Sequence, residues 1–131
     1  MVIYVDIDET ICNTPSLPNS NERDYYGSTP IQEHIDKVNS MYEDGHKIVY
    51  WTARGSTTGK DWEDLTRKQL DQWGAKFHAV KFWKPFYDVF IDDKNINAKD
   101  LLSFQPRGNT ANKTATYSDI VHTKYKWVIK F

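Results

Sequence analysis

Short continuous apolar runs alternate with helically spaced ones along this chain. The first run, Val2-Ile3-Tyr4-Val5 with Ile7 beyond Asp6, predicts a buried strand over residues 2–7. Pro, Asn and Ser then break the pattern, and residues 13–28 read as a polar, flap-like loop. Thr29-Pro30-Ile31-Gln32 reads as a helix start, with Thr29 as N-cap, Pro30 in the first turn and Gln32 reaching back. Ile31, Ile35, Val38 and Tyr42 keep one helical face, and Gly45 marks the stop. Lys47–Trp51 predicts a second buried strand. Beyond the small polar loop 56–59, a second helix runs to Trp73 with Gly74 after it. Its Trp62, Leu65, Thr66, Gln69, Leu70 and Trp73 form a stripe that reads as core packing. Residues 76–82 and 87–91 predict a third and a fourth strand, and 97–104 a short helix. The C-terminal segment 105–131 begins as a polar loop. It ends with Tyr125, Trp127, Ile129 and Phe131 alternating with lysines, the pattern of a half-buried edge strand.

Strands alternating with helices imply an α/β fold, a mainly parallel sheet covered by helices on both faces. Nothing in the pattern separates a second domain, so 1–131 reads as one. In such sheets ligands gather outside the carboxyl ends of the strands. At those ends the chain carries its most informative residues. Asp6-Ile7-Asp8-Glu9-Thr10 closes the first run, Thr52-Ala53-Arg54 closes the second, and Asp92-Asp93 closes the fourth. A buried strand end has no structural use for paired carboxylates, because each costs several kcal/mol to desolvate unless it is paired or binds a cation. Two such pairs point to one metal-centred site.

Composition narrows the partners. The net charge is −1, so no global basic field recruits nucleic acid or an anionic membrane. No apolar run approaches the ~20 residues of a membrane span. Cys12 is the single cysteine, which excludes an internal disulfide and reads as a small buried residue. These features predict a cytoplasmic protein. His34, His46, His78 and His122 have no metal-ligand spacing.

The order DxDxT, strand-end Thr52, a downstream lysine and Asp92-Asp93 resembles the haloacid dehalogenase superfamily. The resemblance implies a Rossmann-like, three-layer α/β/α core and Mg²⁺-dependent phosphoryl transfer through an aspartyl-phosphate. Asp6 would be the nucleophile and Asp8 the general acid and base, with a protonated Asp8 plausible beside other carboxylates. Because the family's dehalogenases lack this second aspartate, it points to phosphatase or phosphotransferase chemistry. The Mg²⁺ ligands would be the Asp6 carboxylate, the Asp8 backbone carbonyl, Asp92 and Asp93. Thr52 with the nearby backbone of Ala53 would hold phosphate oxygens. Lys84, in a Lys-Pro pair that resembles the Gly-Lys-Pro of some members with Trp83 at the glycine position, is favoured over Lys81 as the phosphate-binding lysine. Arg54 either clamps substrate bidentately or forms a surface salt bridge.

The family's cap domains insert between the first and second motifs or between the second and third. Neither interval has room for one here, so the expectation is a capless enzyme with an open site, covered at most by the 13–28 flap. Tyr25 and Tyr26 on that flap are then candidate substrate contacts. Open sites suit large substrates or closure by a second copy of the chain. The run from Lys84-Pro85 through Asp88-Val89-Phe90-Ile91-Asp92-Asp93-Lys94-Asn95 is most similar to small phosphatases of capsule and surface-polysaccharide biosynthesis, which implies a phosphorylated sugar or sugar acid. Two alternatives stand beside it. One is a polynucleotide 3′-end phosphatase using Tyr25, Tyr26 and the lysines Lys113, Lys124 and Lys126; the other is a non-catalytic binding module.

Overall fold

The computed structural model describes residues 1–106; the expected C-terminal strand with its lysines lies outside the described residues. The described fold is α/β around a three-stranded parallel sheet. Strand β1 (Val2–Val5) pairs with β4 (Lys47–Trp51), and β4 with β5 (Ala79–Lys81). The register sets Val5 against Tyr50 and Tyr50 against Val80, so β4 lies between the other two. Ile48, Val49 and Tyr50 are consecutive and all buried, as expected of a strand covered on both faces. Helix α1 (Gln32–Glu43) lies between β1 and β4 in the chain, and α2 (Glu63–Gln72) between β4 and β5. Ile35, Val38 and Met41 of α1 and Leu70 of α2 join Ile7, Ile11 and the strands in one core.

Both helices stop where the glycines predicted. Gly45 (φ 97°) and Gly74 (φ 70°) take the left-handed conformation. Gly45 N–H bonds Tyr42 and His46 N–H bonds Met41; Gly74 and Ala75 do the same to Asp71 and Leu70. This double bond pattern satisfies the last helical carbonyls, and glycine adopts it without a Cβ penalty.

The start of α1 departs from the expected cap. Thr29–Pro30 forms a short strand, β3, antiparallel to β2 (Cys12–Asn13), and Ile31 N–H donates to Ile11 O at 2.8 Å. The backbone at 29–31 is therefore extended, Ile31 occupies the cap position without a side-chain bond, and the helix begins at Gln32. A tertiary ladder outcompetes the local capping box, and Pro30 fits because it stands in a two-residue pairing. The same ladder closes the base of the 13–28 loop. That loop doubles back through a bridge between Ser16 and Arg23 and ends in a 3₁₀ turn, Tyr25–Gly27.

Two strand expectations need correction. The third strand shortens to Ala79–Lys81, although Phe77 and Phe82 on either side still pack on the core. Residues 87–91 form no strand: Val89 and Ile91 are exposed, Ile91 by 93%. A strand exists through its partner's hydrogen bonds, and this apolar run has no ladder among the described residues. The short helix appears as a 3₁₀ segment, Ala98–Ser103, capped by the Asn97 side chain. No described helix is long and apolar enough to cross a membrane.

Candidate active site

Asp6 and Asp8 follow β1, Thr52 follows β4, and parallel pairing places those ends side by side. Between them runs a dense polar network centred on Arg54. Its side chain is 0% exposed, yet every N–H it carries has an acceptor. Nε donates to Asp8 Oδ2 (3.1 Å) and Nη2 to Asp8 Oδ1 (2.9 Å) and Ser28 Oγ (3.3 Å). Nη1 donates to Thr66 Oγ1 (3.1 Å) and Gln69 Oε1 (2.6 Å). The Tyr25 ring covers the guanidinium at 4.8 Å. Arg54 is therefore neither a surface salt bridge nor a group free to grip substrate: its bidentate face is spent on Asp8.

Asp8 has donors for its hydrogen-bonding neighbours; of the carboxylates expected beside it, Asp6 lies near and Asp92 and Asp93 do not join it. Thr14 Oγ1 donates to Asp8 Oδ1 at 2.6 Å and bonds Ser28 Oγ at 2.7 Å, closing a ring through Arg54. Gln69 Nε2 donates to Tyr25 O (2.7 Å), so the same side chain that holds Arg54 also ties down the flap. Thr66 and Gln69 belong to the α2 stripe assigned to packing. Their polarity at buried positions was the available signal that this face does more. Thr14 and Ser28, lying in a polar loop, gave none.

Asp6 meets Lys84, whose Nζ lies 3.7 Å from Asp6 Oδ1. Lys84 is held from both ends. Its N–H donates to Thr52 O and its carbonyl accepts from Ser56 Oγ, while Nζ lies 5.9 Å from the centre of the Trp51 ring and 5.2 Å from that of Tyr87. Lys81 instead reaches Tyr4, at 3.1 Å from its hydroxyl. Burial raises the Asp6 pKa; Lys84 opposes that shift and Asp8 adds to it. Thr52 is fully buried and its hydroxyl accepts from Arg54 N–H at 3.1 Å, which shapes the turn through Ala53. Cys12 is buried under this site, and desolvation pushes its thiol up to about 11, so it is a packed thiol and not a nucleophile.

The acidic pair Asp92-Asp93 stands apart. Both residues are exposed, and among the described residues no group of three or more His, Cys, Asp or Glu side chains gathers to hold a metal ion. The expected four-member set is thus divided, with Asp6 and Asp8 just after β1 and the other two beyond the 87–91 run, which has no ladder among the described residues. Of the flap tyrosines, Tyr25 is packed between Arg54 and Trp62. Tyr26 is 74% exposed with its ring edge-on to Trp62 at 5.5 Å.

No protein-family model matches the chain. No curated protein matches it either. A solved structure from Vibrio cholerae, described as an MCSG target, is similar to it over 80% of this chain and 90% of its own, with a TM-score of 0.65 and 22% identity. At that identity the likeness shows the α/β fold, one consistent with a Rossmann-like arrangement.

Proposed function

We propose that this chain is a Mg²⁺-dependent phosphomonoester hydrolase of the haloacid dehalogenase type, a single capless domain acting on a phosphorylated sugar or sugar acid. The observation that carries the reading is the pairing at the sheet's carboxyl edge. One carboxylate, Asp6, is partly exposed beside a cation 3.7 Å away, and the next, Asp8, is locked in place by a buried guanidinium. Two aspartates two residues apart thereby stand in different environments: Asp6 is open to a substrate, and Asp8 is fixed in orientation, as attack and proton transfer each require.

In this reading Asp6 attacks the phosphoryl group, and Lys84 offsets charge between carboxylate and substrate. Asp8, aimed by Arg54 and Thr14, transfers a proton to the leaving alcohol and later takes one from water. The Thr52 turn supplies backbone N–H groups for phosphate oxygens. Mg²⁺ favours hard oxygen donors, which Asp6 and the nearby chain carbonyls offer; bound there it would neutralise charge between Asp6 and the phosphate. Asp92 and Asp93 would complete its ligand set only by coming to Asp6.

The intervals between motifs support the absence of a cap. The 13–28 segment is a hairpin-like flap, and α2 and β5 occupy the stretch before Lys84. The test is phosphate release from sugar phosphates, nucleotides and a 3′-phosphorylated oligonucleotide, each with Mg²⁺ and with EDTA. Metal-dependent release from sugar phosphates is the expected result. Release from the oligonucleotide alone would replace the sugar reading, and no release from folded, Mg²⁺-supplied protein would overturn the enzyme reading.

A further inference from the structure

A pocket of about 150 Å³ opens next to Arg54, walled by Trp62, Phe82 and Trp83. Trp83 immediately precedes Lys84, the residue that meets Asp6, and Arg54 is the one that meets Asp8. The pocket is thus attached to both halves of the candidate site through its own lining. We infer that it seats the leaving group of the substrate, and that this group is a neutral hexopyranose ring. The inference rests on the phosphomonoesterase reading above and deepens it.

Trp83 carries the first part of the argument. Its φ of 66° is left-handed backbone, which suits glycine and costs any residue with a Cβ. A large indole in that conformation, still 48% exposed, gains little from core packing. Local backbone energy would favour glycine here, so the indole is retained against it, at the mouth of a pocket next to Lys84. Trp62 forms the facing wall and is itself held, edge-on, by Tyr25 at 5.0 Å and Tyr26 at 5.5 Å.

Size and charge choose the occupant. Cavities of about 150 Å³ hold one six-membered ring. Indole and phenyl faces accept the C–H faces of such a ring, while carboxylates accept its hydroxyl protons. Asp61 and Glu63 supply those acceptors. Asp61 Oδ1 is occupied by Glu63 N–H and Glu63 Oε2 by Arg67, which leaves each with its second oxygen. Lys60 adds one donor, and the charge of Arg54 is already answered by Asp8. With Glu63 paired to Arg67, Asp61 and Lys60 balance one another, and a lining without net charge suits a neutral polyol over a polyanionic strand.

The test has one arm that needs no turnover. ¹⁵N-indole spectra are recorded while methyl α-glucopyranoside, or separately adenosine, is titrated into the full chain, with Trp83→Gly used to assign its signal. The expected result is saturable movement of the Trp83 and Trp62 indoles with the glycoside, and at least a tenfold loss of glycoside affinity in Trp83→Gly, whose unfolding midpoint is no lower than that of the parent. In the second arm, the ratio of kcat/KM for a hexose phosphate to that for glycerol phosphate falls at least tenfold in Trp83→Gly. Adenosine moving the two indoles where the glycoside does not would overturn the sugar assignment. Silence from both ligands, or an unchanged ratio, would overturn the subsite. Glycoside binding without any phosphate release would uphold the pocket and count against the phosphatase reading alone.

Discussion

Replacing Arg54 separates its observed role from the substrate-clamping role that its sequence position suggests. Arg54→Met keeps the apolar stem and removes all five donors. That leaves Asp8, 16% exposed, without its bidentate partner, and strands Thr66 Oγ1 and Gln69 Oε1, which are buried. Breaking a buried ion pair by deleting one member costs about 3–5 kcal/mol. A domain of this size has about 5–15 kcal/mol in total, so the loss is readily measured. Arg54→Lys keeps the charge, but an ammonium cannot reproduce a planar fork serving acceptors on three segments, and at least about 2 kcal/mol should still be lost. Urea unfolding of Arg54→Met, Asp8→Asn and the double variant forms a cycle. A coupling of about 2–3 kcal/mol is expected, because the second substitution removes a charge that the first had already orphaned. Kinetics adds an independent reading: a residue that aims Asp8 lowers kcat and leaves KM nearly unchanged, whereas a substrate clamp raises KM. A loss below about 1 kcal/mol for Arg54→Met, or strict additivity in the cycle, would refute the reasoning.

Four further outcomes follow from the site and the core. Asp6→Asn should abolish phosphate release by at least about a thousandfold while leaving the unfolding curve in place; turnover at the parental rate would remove Asp6 as nucleophile. Mg²⁺ should raise the melting temperature of the parent protein but not of Asp92→Asn, and equal shifts in both would show that Asp92 is not a ligand. Tyr50 is fully buried and its hydroxyl has no hydrogen-bond partner among the described residues, so Tyr50→Phe should stabilise the fold by about 1 kcal/mol in urea unfolding; destabilisation would mean the hydroxyl is satisfied. His78 Nδ1 accepts from Ile48 N–H at 3.0 Å, and burial, with Lys47 nearby, holds the imidazole pKa below its usual 6.5. The unfolded chain therefore binds the proton first. The stabilising contribution of neutral His78 is complete above 6.5 and is lost as pH falls from there through the folded-state value. His78→Asn should flatten the stability–pH slope below neutrality, and an unchanged slope would exclude His78 as its source.

Much of this protein is set by periodicity and local chemistry, which act over a few residues and so can be read along the chain. The continuous apolar run of β4 reproduces its observed span, and Gly45 and Gly74 end their helices because only a left-handed residue lets the last carbonyls bond back. Lys84 sits beside the turn after β4 through its bond to Thr52 O, and its ammonium lies 3.7 Å from Asp6. Tertiary structure alone decided what depends on a partner distant in sequence. Thr29–Pro30 became a strand because Cys12–Asn13 was there to pair with it, and 87–91, with equal β character, finds no such ladder among the described residues. The polar stripe of α2 acquired meaning only when folding brought Thr66 and Gln69 to Arg54, and Arg54 acquired its role only when β4 was laid beside β1 and delivered it to Asp8. Hydrogen bonds that satisfy a buried charge are long-range bookkeeping, and no local pattern in the sequence records which acceptors a buried guanidinium will find.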